Sequence, residues 1–202
     1  HRDILAYQED QRSGRWQPRP IVHASQRRVG VMGVGNLGRA ALDRLQPLGF
    51  QLSGWNRSLK EVPGGHCYVG PGELEAFLGQ CDILVNMLPL TPETDGILNA
   101  AKLDCLPHGA GLINVGRGAH LIETALLSAL DEGRLRGAVL DVLVQEPPTQ
   151  DNSLWKHPRV ILTPHIASDV QIEGGVAVIV ENLRREREGM TLLNVVDRSK
   201  GY

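Results

Sequence analysis

Short apolar runs alternate with segments of helical spacing along most of the chain. Six runs have the length and apolar character of β-strands, namely residues 29–33, 51–55, 83–88, 111–115, 138–142 and 160–162. Helices are predicted around and between them, over residues 2–15, 37–48, 74–78, 100–106, 123–132 and 170–188. This alternation predicts an α/β fold with a doubly wound parallel sheet.

The composition narrows the class of protein. The 202 residues are 42% hydrophobic and 22% charged, with a net charge of −2, which is ordinary for a soluble globular protein and argues against nucleic acid as a partner. The longest apolar stretches, residues 83–90 and 176–180, are far too short to cross a membrane. The three cysteines form neither a disulfide framework nor a metal-ligand cluster, so we expect no metal site and a reducing, cytoplasmic location.

The first predicted strand runs into the loop GVGNLG, which matches the pattern G-x-G-x-x-G and opens a predicted helix. In this pattern Gly33 permits a tight turn, Gly35 lets the backbone approach a pyrophosphate, and Gly38 lets helix and strand pack closely. The anion would face the first N–H groups of the helix, those of Asn36, Leu37 and Gly38. Glycines also gather at ordinary strand-to-helix turns, but this order of strand, loop and helix favours a Rossmann-type dinucleotide-binding domain.

The end of the second predicted strand indicates which dinucleotide would bind. A site for NAD places Asp or Glu there to bind the ribose hydroxyls, and this chain instead has Trp55, Asn56, Arg57 and Ser58. The guanidinium of Arg57 suits a 2′-phosphate, and Asn56 and Ser58 can donate hydrogen bonds. A solvated surface arginine is the alternative interpretation. The missing acid and the arginine together favour NADP(H) over NAD(H) as the cofactor.

Several motifs in a fixed order carry a resemblance to a known family. The glycine loop is followed by LPLTPET at 88–94, NVGRG at 114–118, DVLVQEP at 141–147 and TPHIA at 163–167. In this combination the chain resembles the D-isomer-specific 2-hydroxyacid dehydrogenases. The resemblance narrows to the bacterial glyoxylate/hydroxypyruvate reductase A subgroup through WNRS at 55–58, SLWKHPRV at 153–160 and VDRSKGY at 196–202.

The resemblance implies three catalytic residues. His165 would protonate the carbonyl oxygen of the substrate, since imidazole titrates near neutral pH. Glu146 would hydrogen-bond His165 and favour its protonated form, and Arg117 would bind the carboxylate or carbonyl oxygen of the substrate. Taken singly, such a histidine, glutamate or arginine is more often structural. Each of the three follows a predicted strand, where doubly wound folds bind their ligands.

The resemblance also implies further contacts with the cofactor. Leu88, Pro89 and Thr94 would line its ribose and phosphate region, while Val115 and Asp141 would meet the nicotinamide end. Asp141 would accept from the carboxamide, although it could equally cap a neighbouring loop. The remaining implied contacts are Gly116, Arg117, His165, Ala167 and Ser168. Four histidines match no catalytic position and are predicted to lie on the surface or in loops, namely His66, His108, His120 and His157.

Members of this family carry a second, flavodoxin-like substrate domain, and only its connecting segments are expected here. We expect residues 1–25 to form an interdomain helix and linker, 26–170 the dinucleotide-binding domain, and 171–202 a C-terminal helix and tail returning towards a substrate domain absent from the sequence. The implied function is NAD(P)H-dependent reduction of a small 2-ketoacid, glyoxylate or hydroxypyruvate, to the D-2-hydroxyacid, in a homodimer formed through the cofactor domain. A dinucleotide-sensing binding module and a catalytically inactive fragment stay open as alternatives.

Overall fold

A computed structural model of the chain describes residues 1–168 and 172–196, which divide into two compact units. The first unit runs from His1 to Pro164, and the second begins at His165. The elements of the first unit are α1 (Ile4–Arg12), β1 (Arg28–Met32), α2 (Asn36–Leu45), β2 (Gln51–Asn56), β3 (His66–Val69), α3 (Leu74–Leu78), β4 (Ile83–Asn86), α4 (Ala100–Asp104), β5 (Ala110–Asn114), α5 (Glu123–Asp131), β6 (Leu135–Leu140) and β7 (Val160–Leu162).

The strands of the first unit form one sheet in the order β3-β2-β1-β4-β5-β6-β7, and every neighbouring pair is parallel. The predicted doubly wound parallel sheet is therefore confirmed. The predicted number of six strands is wrong, because β3 adds a seventh strand at one edge. Of its four residues only Cys67 is buried, so β3 carries no apolar run that a sequence pattern could reveal.

Apolar side chains cover both faces of the sheet. Along β4, Ile83 and Val85 belong to one buried cluster and Leu84 to another, as the alternation of side chains along a strand requires. The first cluster includes Leu42 of α2, and the second includes Phe77 of α3 together with side chains of α4 and α5. Because both faces are covered, the inner strands carry apolar residues at successive positions, which explains why their runs are visible in the sequence.

The helices lie where the spacing predicts them, and their ends differ by a few residues. The predicted helix over 37–48 is α-helical only to Leu45 and then continues as one 3₁₀ turn, Gln46–Leu48. The change occurs at Pro47, which has no N–H to continue the α-helical hydrogen bonding.

The second unit contains one long helix, α6 (Ile172–Arg187), and the predicted start of this helix at residue 170 lies outside the described residues. On this exposed helix Glu181 forms ion pairs with Arg184 and Arg185, and their hydrogen bonds lower the pKa of Glu181 to about 2. None of the described helices is both long and apolar enough to cross a membrane.

Candidate functional site

The carboxyl ends of the strands lie along one edge of the sheet, since all strands run in the same direction. The strand order reverses between β1 and β4, so the loops after these two strands diverge and leave a crevice, the usual ligand site of this architecture. The predicted site residues of the first unit lie at or after the carboxyl ends of β1, β2, β4, β5 and β6. The fold therefore brings these segments to a single edge of the sheet.

The glycine loop is closely packed at two of its three glycines. Gly33 has a φ of +92°, and a Cβ on it would lie 2.8 Å from the carbonyl oxygen of Met87. A Cβ on Gly38 would lie 2.0 Å from the carbonyl oxygen of Gly33. A Cβ on Gly35 would meet no atom of the described chain within 4 Å. Gly33 and Gly38 are thus required by the fold, whereas Gly35 leaves open space beside the backbone, which an approaching ligand needs.

The helix after this loop presents N–H donors at its start. α2 begins at Asn36, and its N-cap residue, Gly35, has no side chain to cap the helix. The first N–H groups of a helix have no partner within the helix, and its dipole places partial positive charge there. Asn36 and Leu37 are both exposed. A diphosphate therefore fits this loop in shape and in charge.

Trp55 near the end of β2, a predicted cofactor contact, has its side chain in the core. The residue is 7% exposed, and its indole Nε1 donates to the carbonyl oxygen of Gly70 at 2.8 Å. This bond ties the end of β2 to the segment after β3. The predicted contact with a cofactor at position 55 would therefore be made by the backbone of Trp55.

Arg57 lies in a short turn directly after β2. Asn56 closes the turn by donating from Nδ2 to the carbonyl oxygen of Ser58 at 2.9 Å. Arg57 is exposed. A hydrogen bond from Thr91 and the charge of Arg57 both lower the pKa of Glu93, which places Glu93 within electrostatic reach of Arg57. The charge of Arg57 therefore acts on the loop after β4, at the edge where the adenosine end of a dinucleotide is predicted.

The loop after β4 is shaped by its own polar groups. The hydroxyl of Thr94 donates to the carbonyl oxygen of Pro89 and accepts from the N–H of Thr91, each at 2.8 Å. Leu88 is buried, and its N–H donates to Oδ1 of Asn86 at 3.2 Å. The side chain of Thr94 therefore fixes the shape of the loop.

Two buried asparagines hold the loop that carries Arg117. Asn86 ends β4 and Asn114 ends β5, and Nδ2 of Asn86 donates to Oδ1 of Asn114 at 2.8 Å. Asn114 accepts from the N–H of Gly116 and donates to the carbonyl oxygen of Arg117, each at 3.2 Å. The Arg117 side chain is exposed, with Nη1 donating to the carbonyl oxygen of Gly116 at 2.7 Å. A guanidinium carries five N–H donors, enough to bind a carboxylate as well.

His120 completes this polar group, and of its two predicted positions, on the surface or in a loop, the structure has the loop. His120 is fully buried because the 3₁₀ turn Gly118–His120 folds back beneath the loops after β4 and β5. Nδ1 lies 2.9 Å from Nδ2 of Asn86 and 3.2 Å from the N–H nitrogen of Arg117, and Nε2 lies 3.2 Å from the carbonyl oxygen of Pro89. Since two donors face Nδ1, the ring proton belongs on Nε2, which donates to Pro89. Burial lowers the pKa of His120, and the charge of Arg117 acts in the same direction.

The sequence does contain a signal for part of this polar group. Asn86 and Asn114 each end an apolar run and directly precede a predicted loop. A buried polar side chain must find hydrogen-bond partners, so an asparagine at the end of a buried strand is a candidate for holding the next loop. No such local signal marks His120, whose burial depends on how its turn folds back.

The loops carrying Arg117 and Glu146 pack backbone against backbone. A Cβ on Gly118 would lie 2.0 Å from both the carbonyl carbon and the carbonyl oxygen of Leu143. Glu146 is exposed, and its Oε1 accepts from the N–H of Leu143 at 2.8 Å. Leu143 thus contacts both loops, and the absence of a side chain at Gly118 is what lets them approach.

Asp141 joins the ends of three strands. It is buried directly after β6, its N–H donates to the carbonyl oxygen of Asn114 at 3.0 Å, and its Oδ1 accepts from the hydroxyl of Thr163 at 2.5 Å. The predicted alternative, that Asp141 caps a neighbouring loop, agrees with the bond to Thr163. Val115, a partly buried residue, donates its N–H to the carbonyl oxygen of Asn86 at 3.1 Å and packs against the core.

His165 is the first residue of the second unit. It is exposed and has a φ of +55°, which is uncommon for a residue other than glycine. Ala167 and Ser168, its predicted neighbours in the site, are also exposed. Residues held in the left-handed region are often found at functional positions, so this backbone conformation supports a functional hypothesis for His165.

A family model described as "D-isomer specific 2-hydroxyacid dehydrogenase, NAD binding domain" matches residues 1–167 of the chain. The match covers the whole parallel sheet, from β1 to β7, and the motifs that carry the predicted site.

Solved structures show the same similarity. A D-isomer-specific 2-hydroxyacid dehydrogenase from Xanthobacter autotrophicus Py2, in complex with NADPH and MES, is 44% identical with a TM-score of 0.95 over 100% of this chain and 83% of that one. A D-isomer-specific 2-hydroxyacid dehydrogenase family protein from Klebsiella pneumoniae 342 is 43% identical with a TM-score of 0.91 over 98% of this chain and 64% of that one. An NADPH-dependent glyoxylate/hydroxypyruvate reductase from Sinorhizobium meliloti, in complex with NADP and sulfate, is 36% identical with a TM-score of 0.94. That match covers 100% of this chain and 65% of the reductase, so the chain spans just under two thirds of the latter two proteins.

Proposed function

The chain belongs to the D-isomer-specific 2-hydroxyacid dehydrogenase family, and from this premise we propose that it serves the NAD(P)H-dependent reduction of a small 2-ketoacid, glyoxylate or hydroxypyruvate, to the D-2-hydroxyacid. The observation that carries the proposal is the glycine loop. Packing closes Gly33 and Gly38, while Gly35 faces open space at the start of α2. This combination suits a diphosphate bound against backbone N–H groups.

The residues of the chain contribute binding, charge and a proton. A bound reduced nicotinamide supplies the hydride. Arg117 binds the carboxylate or the carbonyl oxygen of the substrate, and its positive charge stabilises the alkoxide oxygen that forms. His165 donates a proton to that oxygen, and Glu146 hydrogen-bonds His165 and favours its protonated form. The roles of His165 and Glu146 rest on the order of the family motifs.

The remaining predicted contacts belong to the same proposal. The loop after β4 contributes to the ribose and phosphate region, and the loops after β5 and β6 contribute to the nicotinamide end. The contacts of these loops are Leu88, Pro89, Thr94, Val115, Gly116 and Asp141, and Ala167 and Ser168 are the contacts beside His165.

NADP(H) is the proposed cofactor because a guanidinium stands where an acid would select NAD. Arg57 is exposed at the end of β2, in a turn closed by Asn56 and Ser58. The relatives from Xanthobacter autotrophicus and Sinorhizobium meliloti were crystallised with NADPH and NADP. Titrating the chain with NADPH and with NADH tests the preference. We expect NADPH to bind about tenfold more tightly or better, and tighter binding of NADH would contradict the proposal.

The reaction is tested by mixing the chain with NADPH and hydroxypyruvate and following the loss of NADPH absorbance. The product should be the D-isomer of the hydroxyacid, which chiral chromatography identifies. We expect His165→Gln and Arg117→Gln each to lower kcat by about a hundredfold or more. His108→Gln, which changes an exposed histidine, is the matched control and should leave kcat unchanged.

The outcomes separate the candidate functions. Turnover that depends on His165 and Arg117 supports the reductase. Tight binding of NADPH without turnover favours a dinucleotide-sensing module or an inactive fragment, and absence of NADPH binding contradicts both the reductase and the sensing module. The homodimer and the cytoplasmic location remain predictions, and sedimentation of the purified chain tests the first of them.

A further inference from the structure

His120 makes hydrogen bonds at both ends of its ring to two different loops. Nδ1 accepts from the N–H of Arg117 at 3.2 Å, in the loop after β5. Nε2 donates to the carbonyl oxygen of Pro89 at 3.2 Å, in the loop after β4. The ring is fully buried. It therefore connects two loops at the edge of the sheet that carries the predicted site residues.

The position of the ring is fixed by its surroundings. The carbonyl oxygen of His120 accepts from the N–H of Leu98 at 2.8 Å, which anchors the backbone. Nδ2 of Asn86 lies 2.9 Å from Nδ1 and braces the ring from the side of the strands. A Cβ on Gly116 would lie 3.1 Å from Nδ1, so the neighbouring backbone also lies against the ring. A ring held in this way can fix the distance between the two backbone groups that it binds, the N–H of Arg117 and the carbonyl oxygen of Pro89.

A purely apolar side chain could fill this volume but could not form hydrogen bonds to the two loops. The Arg117 end requires an acceptor and the Pro89 end requires a donor, and a neutral imidazole with its proton on Nε2 provides both. An apolar side chain would leave both backbone groups without these hydrogen bonds. The chemistry of the ring thus matches the two loops specifically.

We propose that His120 is a positioning residue, which sets the backbone of Arg117 for binding a 2-oxo acid and the backbone at Pro89 for binding the dinucleotide. This inference rests on the proposed function, in which the two loops have these ligands. His120 touches neither ligand in this scheme, because it lies beneath both loops. It acts through Arg117 and Pro89.

Two substitutions each keep one of the two hydrogen bonds of the ring and remove the other. The amide oxygen of an asparagine occupies a place close to Nδ1, so His120→Asn keeps the acceptor for Arg117 and loses the bond to Pro89. The amide of a glutamine reaches the place of Nε2, so His120→Gln keeps the donor to Pro89 and loses the acceptor. His108→Asn and His108→Gln, at an exposed histidine, are the matched controls.

The first measurement requires no ligand. Hydrogen exchange of the Arg117 amide reports its bond to Nδ1, and we expect exchange to be about tenfold faster in His120→Gln and nearly unchanged in His120→Asn. Thermal unfolding of each variant is recorded alongside it, so that a general loss of stability is recognised.

The second measurement reads the two ligands separately. We expect the Kd of NADPH to rise about tenfold in His120→Asn and to change little in His120→Gln. Oxamate, an unreactive 2-oxo acid analogue, is titrated into the NADPH-loaded chain. Its Kd should rise about tenfold in His120→Gln and change little in His120→Asn.

Weaker NADPH binding in His120→Asn together with weaker oxamate binding in His120→Gln supports a positioning role. A merely structural role would not produce this crossed pattern. If both variants weaken both ligands in proportion to their loss of thermal stability, His120 is structural and the inference is overturned. If hydrogen exchange shows the bond between the Arg117 amide and Nδ1 but the Kd of neither ligand changes in either variant, the inference is also overturned while the proposed function stands. If the wild-type chain fails to bind NADPH, the proposed function fails, and the inference that rests on it fails too.

Discussion

The backbone N–H of Arg117 donates to Nδ1 of His120 over 3.2 Å, so a buried imidazole holds the loop that presents the arginine. Asn86 directs a second N–H at the same nitrogen over 2.9 Å. A proton on Nδ1 would face both donors and break both hydrogen bonds. The fold therefore selects the neutral ring, in agreement with the lowering of the pKa of His120 by burial.

Acid should destabilise the fold through His120. Its pKa in the unfolded chain is about 6.5. In the folded chain, burial and the charge of Arg117 lower this pKa against the opposing effects of the Pro89 bond and Asp95. Below pH 6.5, the ordinary value, the unfolded chain therefore binds a proton that the folded chain does not, and the free energy of unfolding falls as the pH falls.

Denaturant unfolding between about pH 7.5 and about pH 5.5 checks this expectation. The wild-type chain should lose more stability over that interval than His120→Gln, which has no group titrating at this position. The exposed variant His108→Gln should follow the wild-type curve. Parallel curves for all three proteins would assign the acid sensitivity to other groups.

Two glycines of the same loop should respond in opposite ways to alanine. Gly35 has a φ of −86° and open space around a Cβ, so Gly35→Ala should fold with a stability close to that of the wild type. It should nevertheless weaken NADPH binding about tenfold or more, because the methyl group occupies the space of the diphosphate. In Gly38→Ala the Cβ would lie 2.0 Å from the carbonyl oxygen of Gly33, and we expect a loss of about 1–3 kcal/mol in stability.

Denaturant unfolding and NADPH titration on both variants separate the two effects. Normal NADPH affinity in a folded Gly35→Ala would show that the open space does not receive the cofactor. Unchanged stability in Gly38→Ala would show that helix and strand can move apart without cost.

Arg57→Gln should lower the affinity for NADPH about tenfold or more and leave that for NADH nearly unchanged, because only NADPH carries the 2′-phosphate. Glu93→Gln should have the reverse effect and tighten NADPH binding by about a few fold, since the Glu93 carboxylate lies within electrostatic reach of Arg57. Arg44→Gln removes an exposed arginine near the end of α2 and is the charge-matched control. Equal loss of both cofactors in Arg57→Gln would mean that Arg57 does not read the phosphate.

The fold was predictable wherever burial left a local pattern. The inner strands β1, β2, β4, β5 and β6 leave apolar positions that are visible in the sequence, and the edge strand β7 is visible through its three apolar residues. β3 is an edge strand that begins with the exposed His66 and buries only Cys67, and its place in the sheet depends on pairing with β2. Strand pairing is a property of the tertiary fold, and no run of four residues encodes it.

The candidate site was predictable where a residue type is needed at one position. Gly33 and Gly38 are visible because backbone atoms occupy the place of their Cβ. No local pattern marks the burial of the Trp55 and His120 side chains, because each bonds to a segment that is distant along the chain. Trp55 bonds to Gly70, and His120 bonds to Pro89, which precedes it by 31 residues. Such partners become neighbours only when the loops close over the sheet.

Gly118→Ala should separate the two loops that carry Arg117 and Glu146. An alanine Cβ would lie 2.0 Å from the carbonyl carbon of Leu143, and backbone on both sides leaves no flexible side chain to yield. We expect a loss of about 1–3 kcal/mol in stability. The substitution should also lower the affinity for oxamate more than the affinity for NADPH, because the displaced loop carries the arginine proposed to bind the 2-oxo acid. Gly72→Ala, where a Cβ meets no described atom within 4 Å, is the control and should leave unfolding and both affinities unchanged. Wild-type stability and wild-type oxamate affinity in Gly118→Ala would show that the contact with Leu143 does not set the distance between the loops.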